Sequence, residues 1–280
     1  MEKQQVIQAA ERLFPICAGN QVAEEVAISA ELAGLTIFEA PLVGIGSAQD
    51  PLFQTFLDPA VIGPWFKQPQ EWLEGAQTVV SFFFPFTEEI RRANRKQKTD
   101  PSAAWLHGRI EGEAYLHSFI TALGAWFEEQ GIRTCAPMTD SRFLPVHNGN
   151  RFHEYGCVTE KTFGSNWSER HIAYLCGLGT FGLSKGLITE KGMAGRFTSI
   201  ILDEKILPDE RPYTEVYEYC IHCGACIRRC PAGAITEQEK DHTVCRPWLL
   251  QMAQRYAPRY GCGLCQTGVP CESRNPSRKK

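Results

Sequence analysis

The chain has 280 residues, which is long enough to bury a substantial core in one large or two small domains. Apolar residues make up 43% and charged residues 22%, and a net charge of −3 gives no sign of bulk attraction to nucleic acid. The N-terminus carries no export signal, and no apolar run approaches the ~18 residues of a membrane span. Twelve cysteines in such a chain favour metal ligation in a reducing compartment, so we expect a cytoplasmic protein.

The first half of the chain predicts helices that flank two strands. Residues 78–84 are apolar throughout and rich in β-branched and aromatic types, as expected of a central strand. Apolar residues recur at helical spacing from Leu116 to Phe127 within a long helix. We predict helices over 5–14, 21–33 and about 103–130, and strands over 35–45 (broken at Pro41) and 78–84. The charged stretch 88–99 is expected to cover the surface.

The second half contains a long polar segment and then a change of composition. Residues 136–166 form a polar loop, and loops of this length in compact domains are usually functional or mobile. We also predict a strand over 132–135, a helix over 167–176, a glycine turn over 177–182 and a strand over 196–202. A polar, proline-bearing connector near 205–213 separates an N-terminal domain, 1–207, from a C-terminal domain, 208–280.

The C-terminal domain carries two sets of cysteines. The first set reads C-x2-C-x2-C-x3-C-P from Cys220 through Cys223 and Cys226 to Cys230. Thiolates at this spacing typically hold a [4Fe-4S] cluster, and the fourth cysteine usually ligates a second cluster. A second set follows, at Cys245, Cys262, Cys265 and Cys271.

The two-cluster pattern assigns the ligands across the two sets. One cluster takes Cys220, Cys223, Cys226 and Cys271, and the other takes Cys230, Cys245, Cys262 and Cys265. Cys271 departs from the usual spacing, since five residues separate it from Cys265 and no proline follows it. Zinc is the alternative, but zinc favours paired C-x2-C knuckles separated by a longer loop. The other four cysteines follow no ligand spacing and are expected to be buried free thiols: Cys17, Cys135, Cys157 and Cys176.

Several stretches resemble the epoxyqueuosine reductase family and its relatives, the reductive dehalogenases, over about residues 35–275. The shared features lie in the central strand, in two helices, in the glycine turn and in the second cysteine set. They are the strand ending at Pro85, Gly108-Arg109-x-Glu111, Glu169-Arg170-x-x-Ala173, Gly177-Leu178-Gly179-x-x-Gly182 and Cys262-x-x-Cys265-Gln266.

The resemblance implies an α+β protein in which a nitroreductase-like α/β N-terminal domain precedes a ferredoxin-like two-[4Fe-4S] module. It also implies a base-off cobalamin that receives electrons from the clusters and reduces a small-molecule or corrinoid substrate. An external low-potential donor such as ferredoxin or flavodoxin would supply the electrons. The implied cofactor-binding residues are Gly177, Leu178, Gly179, Gly182, His171 and Asn166. His171 has the simpler alternative of a packed or capping histidine.

The sequence departs from the family at the catalytic aspartate. That family carries an Asp-Ser-x-Pro stretch before the Glu-Arg helix, whereas residues 163–167 here read Phe-Gly-Ser-Asn-Trp. Replacement proton donors in the polar loop are Glu160, Tyr155, His153 and Asp140, each of which has loop solvation as its plain alternative. The family's C-terminal helical repeats for tRNA are also missing, so tRNA is not expected as the substrate.

Two alternatives to a corrinoid-dependent reductase stay open. The chain could be an electron-transfer protein that reduces a corrinoid on another protein and has no substrate of its own. It could also be a flavin enzyme, because nitroreductase-like domains often bind flavin. Retention of a corrinoid or of flavin by the purified protein separates these hypotheses.

Overall fold

A computed structural model describes residues 1–147 and 163–278 as a mixed α/β structure. The helices are α1 (Lys3–Leu13), α2 (Leu52–Thr55), α3 (Pro69–Trp72), α4 (Glu88–Arg95), α5 (Ala103–Glu129), α6 (Glu169–Leu175), α7 (Ala225–Arg229) and α8 (His242–Arg255). The strands are β1 (Leu42–Ser47), β2 (Thr78–Pro85), β3 (Thr134–Cys135), β4 (Pro145–His147), β5 (Phe163–Ser165), β6 (Gly179–Phe181), β7 (Leu187–Thr189) and β8 (Gly195–Leu202). Within these ranges, no helix combines the length and the apolarity that crossing a bilayer requires.

The main sheet is antiparallel and has the strand order β1-β2-β8-β3. All eight residues of β2 are buried, which explains why its sequence is apolar rather than alternating. Phe82 and Phe84 pack with Phe119 and Leu123 of α5 in the largest core cluster. The predicted strands over 78–84 and 196–202 and the long helix are therefore present.

The other face of the sheet packs against α6 and an aromatic cluster. Val79 and Ile201 lie on this face together with Trp167, which stacks on Phe66 at 5.6 Å between ring centroids. Two glycines of β1 permit the close approach of α6. A Cβ added at Gly44 would lie 2.4 Å from the Cys176 carbonyl oxygen at the end of α6, so only glycine fits there.

One predicted element in the first hundred residues was wrong. Residues 21–33 form two 3-10 turns, Glu24–Val26 and Ala30–Leu32, instead of a helix. Of the apolar residues there, Val22 is buried, but Val26 is 40% exposed and Ile28 is 46% exposed. The apolar residues at helical spacing therefore do not form one buried face, which is what a helix there would need. The charged stretch 88–99 lies mostly at the surface, as predicted, but it also contains α4, whose Ile90 and Asn94 are fully buried.

The C-terminal residues pack directly on α4 and α5. Asn94 Nδ2 donates to the Cys262 carbonyl at 3.3 Å and to Thr267 Oγ1 at 3.1 Å. A Cβ added at Gly263 would lie 1.9 Å from Trp105 Cε2. The cysteine-bearing segment is thus seated closely on the first part of the chain, and the division into domains 1–207 and 208–280 stays a prediction.

Candidate functional site

The two cysteine sets share one local structure. In Cys223-Gly224-Ala225-Cys226 and in Cys262-Gly263-Leu264-Cys265, the glycine adopts a left-handed conformation, with φ of 67° and 65°. Each glycine is followed at once by a helical turn, α7 in the first set and the 3-10 turn Leu264–Gln266 in the second. Residues with a side chain rarely adopt this conformation. The sequence duplication therefore corresponds to a repeated backbone structure.

The structure brings together the first four predicted ligands. Cys220, Cys223, Cys226 and Cys271 line a cavity of about 350 Å³, part of it open to solvent, beside Ile188 and Met193. Burial, with smaller contributions from the nearby thiols of Cys226, Cys220 and Cys223, raises the pKa of Cys271 to about 12. Cys271, the ligand with unusual spacing, is thus a neighbour of the first three cysteines.

The other four predicted ligands form a second group. Burial raises the pKa of Cys262 to about 12, with smaller contributions in the same direction from Cys265, Cys245 and Cys230. The Ala234 N–H donates to Cys230 Sγ at 3.3 Å, a contact of the kind that tunes cluster potentials. Buried thiols that raise one another's pKa need a positive partner to ionise, which cluster iron would provide. The donor chemistry of both groups therefore fits iron–sulfur ligation.

The two groups are adjacent, and neither resembles a site for one ion. Burial raises the pKa of Cys226 to about 11, and the next contribution comes from Cys265 of the second group. Among the described residues, no three His, Cys, Asp or Glu side chains lie close enough to hold a single metal ion. Cys223 is exposed and Cys245 is buried, so the first group lies nearer the surface.

The surface beside the second cysteine group that carries Arg170, Phe181 and Phe197 is called the cleft below. The Arg170 side chain is exposed, yet surrounding protein lowers its pKa, while the Cys265 thiolate opposes that shift. Phe181 and Phe197 are half-buried beside Leu178, so the cleft has an apolar wall as well as a basic one.

The glycine turn is a hairpin that packs on its own chain. Gly177 ends α6 with φ of 80°, and a Cβ added at Gly179 would lie 1.9 Å from the Ile188 carbonyl oxygen of β7. Leu178 is buried against Phe83 and Leu187. At Gly182 the added Cβ would meet only the Ile188 side chain, at 3.1 Å. The end of α6 accounts for Gly177 and hairpin packing accounts for Gly179, and their role in cofactor binding stays a prediction.

His171 and Asn166 have structural partners in the described chain. Ser168 Oγ lies 2.7 Å from His171 Nδ1, and the ring packs against Phe56 and Phe181. Burial, then Arg170 and Lys185, lowers the pKa of His171 to about 4, so the ring is neutral. Asn166 Oδ1 accepts from the Leu144 N–H at 2.8 Å, and its Nδ2 donates to the Arg142 carbonyl at 2.8 Å. These contacts favour packing and bracing roles.

The predicted proton donors are only partly covered by the structure. Glu160, Tyr155 and His153 lie outside the described residues. Asp140 pairs with Arg142, whose Nη2 lies 2.6 Å from Asp140 Oδ2. Hydrogen bonding from Arg142 holds the pKa of Asp140 well below its usual range. A carboxylate kept ionised in this way is a poor proton donor at neutral pH, which counts against Asp140.

Sequence reasoning missed one acid at the start of α6. Both carboxylate oxygens of Glu169 are buried and have no hydrogen-bond partner among the described residues. Burial raises its pKa to about 7, although the nearby Ser199 and Trp167 oppose the shift. The only signal in the sequence was that Glu169 belongs to the Glu-Arg helix of the resemblance. A carboxylate at the start of a helix is ordinarily exposed, so burial was not expected.

Comparison with known proteins gives a family match that spans the first cysteine set. Residues 213–236 match the family model described as a 4Fe-4S binding domain. An epoxyqueuosine reductase from Leadbetterella byssophila is 32% identical over 216 residues, which cover 73% of this chain and 62% of that protein. A tetrachloroethene reductive dehalogenase from Desulfitobacterium hafniense is 36% identical over 111 residues, or 36% of this chain and 20% of that protein.

The fold is also found in a solved epoxyqueuosine reductase. That structure, determined with an epoxyqueuosine-modified tRNA-Tyr stem loop, matches 95% of this chain and 66% of its own chain, with a TM-score of 0.52 and 17% identity. The class defined by fold and site is that of proteins with a 4Fe-4S binding domain on a mixed α/β structure. Within it, the resemblance to epoxyqueuosine reductases and reductive dehalogenases is confirmed at the superfamily level. The expectation that tRNA is not the substrate finds no support here.

Proposed function

We propose that this chain is an iron–sulfur oxidoreductase whose two [4Fe-4S] clusters deliver electrons to a corrinoid in the cleft, where an organic substrate is reduced. The chain spans 62% of the length of the epoxyqueuosine reductase it matches, so the activity of the whole protein is part of this proposal. The proposal is carried by the grouping of eight cysteines, seven of them buried or half-buried, into two adjacent sets, one of which faces the cleft.

The positions of the two cysteine groups suggest the order in which electrons would pass through the clusters. The exposed Cys223 belongs to the outer group, where an external donor such as ferredoxin or flavodoxin would deliver electrons. Cys265 of the inner group acts electrostatically on Cys226 of the outer group and on Arg170 in the cleft. Electrons would therefore enter at the outer cluster, pass to the inner cluster and leave into the cleft.

The cleft residues fit a large, partly apolar ring with polar substituents. Phe181 and Phe197 offer half-buried apolar faces, and Arg170 offers a charged edge. When bound, a corrinoid would supply a metal centre that reduces organic substrates after accepting electrons. The neutral His171 is held by Ser168 and two aromatic rings, so it would contribute packing rather than metal ligation. A tRNA nucleoside or a smaller organic molecule would be the substrate.

An anaerobic reconstitution experiment tests the proposal. The protein is purified without oxygen, loaded with iron and sulfide, incubated with hydroxocobalamin and passed through a gel-filtration column. We expect about eight irons and one base-off corrinoid per chain. Cys271→Ser and Cys265→Ser should each lower the iron content by about half, whereas Cys17→Ser should not change it.

The same experiment separates the alternatives. Retained flavin with no retained corrinoid would contradict the proposal and favour a flavin enzyme. Retained corrinoid without turnover of any organic substrate, but with reduction of a corrinoid on a second protein, would favour an electron-transfer protein. A single zinc per cysteine set, without iron, would remove the electron route altogether.

A further inference from the structure

Three arginine side chains meet at the cleft with one carboxylate among them. Arg109 Nη1 lies 3.3 Å from Glu113 Oε2, and Arg196 Nη2 donates to the same carboxylate oxygen. Arg170 is exposed, and no carboxylate of the described residues acts on it electrostatically. The local charge is therefore positive, because Arg109 and Arg196 share the single charge of Glu113 and Arg170 adds a third guanidinium group.

The three guanidinium groups lie close enough to affect one another. After burial, the next charged group that lowers the pKa of Arg196 is Arg109, and Arg109 also lowers the pKa of Arg170. Like charges at short range in a partly desolvated space repel one another. Two further cations lie in this region. Lys185 pairs with Glu239 at 2.9 Å, and Lys240 faces the thiols of Cys265 and Cys245.

Arg109 is held in place by a neighbouring side chain, and Arg196 has a donor without a hydrogen-bond partner among the described residues. Tyr260 fixes Arg109, because its hydroxyl lies 2.6 Å from Arg109 Nη2 and its ring lies 4.6 Å from Arg109 Cζ. Arg196 Nε is buried and has no hydrogen-bond partner among the described residues. A buried donor without an acceptor indicates that an acceptor is missing. A planar guanidinium binds carboxylate and phosphate oxygens in a two-point geometry.

We propose that Arg109, Arg170 and Arg196 form an anion-binding subsite of the cleft, which takes a carboxylate or phosphate group. The anion would belong either to the molecule reduced there or to the nucleotide loop of the corrinoid. This inference rests on the proposed function for the origin of the anion. The binding of an anion itself rests only on the side chains described above.

Calorimetric titration of inorganic phosphate tests the subsite without any corrinoid. The cluster-reconstituted protein is titrated at low ionic strength, where charge–charge attraction is least screened. We expect phosphate to bind, and Arg170→Gln to raise its Kd by about tenfold, as the loss of one charge-assisted hydrogen bond implies. Arg170 is exposed and unpaired among the described residues, so this variant should keep its fold and its iron.

Two further variants make the result decisive. Arg196→Gln should weaken phosphate binding at least as much as Arg170→Gln, with the cluster absorbance showing whether the protein stays folded. Arg133→Gln is the matched control, because Arg133 is exposed and lies outside the cleft. Its Nε lies 2.7 Å from Asp203 Oδ2. Absence of phosphate binding to the unaltered protein, or equal binding to all variants, would overturn the subsite.

A second titration identifies the source of the anion. Hydroxocobalamin carries a nucleotide-loop phosphate, whereas cobinamide lacks that loop. If the arginine variants weaken hydroxocobalamin but not cobinamide, the subsite holds the corrinoid phosphate. If they leave both unchanged while phosphate binding is lost, the subsite serves the substrate. Failure of either corrinoid to bind contradicts the proposed function, yet the phosphate titration still decides on the subsite.

Discussion

Glu169 is a carboxylic acid placed where a carboxylate is hard to accommodate. Both of its oxygens are buried and lack a partner among the described residues. The nearby Trp167 Nε1–H donates its hydrogen bond to Ser199 Oγ, at 2.9 Å. Burial accordingly raises the pKa of Glu169 from 4.5 to about 7, against the smaller opposing effect of Ser199 and Trp167. The folded protein therefore keeps a proton on Glu169 under conditions in which the unfolded chain has lost it.

We predict that Glu169→Gln removes a pH dependence of stability. Between pH 4.5 and about 7 the folded state binds more protons at this site than the unfolded state, so stability falls as pH rises through this window and levels off above it. The variant should be more stable than the unaltered protein at pH 8 by up to about 3 kcal/mol, and should match it near pH 4.

Urea unfolding at pH 5 and pH 8 measures this difference. Glu129→Gln provides the control, because Glu129 is exposed at the end of α5 and its replacement should leave the pH slope unchanged. The same slope in Glu169→Gln as in the unaltered protein would show that Glu169 is ionised in the folded state.

At the residue scale, the sequence predicts what depends on spacing and misses what depends on tertiary contact. Cys220 to Cys230 lie within eleven residues, so their ligand pattern is visible in the sequence itself. For Asn166, the sequence shows only that its segment lacks the aspartate of the family. Its two hydrogen bonds, to the Leu144 N–H and the Arg142 carbonyl, join segments more than twenty residues away and cannot be deduced from local pattern.

At the scale of elements, the β6–β7 hairpin connects α6 to the cysteine groups. Gly179 of β6 lies against the backbone of β7, and Ile188 and Met193 beside it line the cavity of the first cysteine group. The Tyr219 N–H, next to Cys220, donates to Thr180 Oγ1 of β6 at 2.8 Å. The hairpin thus forms part of the cavity wall and is hydrogen-bonded to the residue before Cys220.

Gly179→Ala should disrupt this hairpin, whereas Gly182→Ala should not. At Gly179 the new methyl group would overlap the Ile188 carbonyl oxygen, and at Gly182 it would meet only the end of the flexible Ile188 side chain. We expect Gly179→Ala to cost several kcal/mol in thermal or urea unfolding and to release iron, and Gly182→Ala to cost less than about 1 kcal/mol. Equal loss of stability in both variants would contradict the packing role.

Whole elements were predicted well where burial produces a long regular pattern. β2 is buried on both faces and α5 packs one face along 27 residues, so each has a strong signal. The charged α4 lacked such a signal, since its burial depends on Arg91 and Asn94 bonding to other parts of the chain. The hairpin looked like a glycine turn, because each of its strands has only three residues.

Across the whole molecule, the cysteine groups depend on contacts between distant parts of the chain. Arg229, next to Cys230, donates to the Gln97 carbonyl at 2.7 Å and to the Thr267 carbonyl at 3.0 Å. The same side chain reaches the Leu264 carbonyl, between two ligands of the second group, at 3.3 Å. One guanidinium thus ties α4, α7 and the second cysteine loop together, an arrangement that no local pattern indicates.

Arg229→Ala should therefore shorten the lifetime of the second cluster. The variant leaves several carbonyl acceptors without their donor and frees the loop that carries Cys262 and Cys265, so we expect a loss of about 2–4 kcal/mol in stability. Cluster absorbance after addition of a chelator should decay several-fold faster. Arg255→Ala breaks an exposed ion pair with Asp100 at 2.5 Å and should leave stability and the cluster decay rate almost unchanged. If both variants retain iron equally long, the Arg229 contacts do not hold the cluster in place.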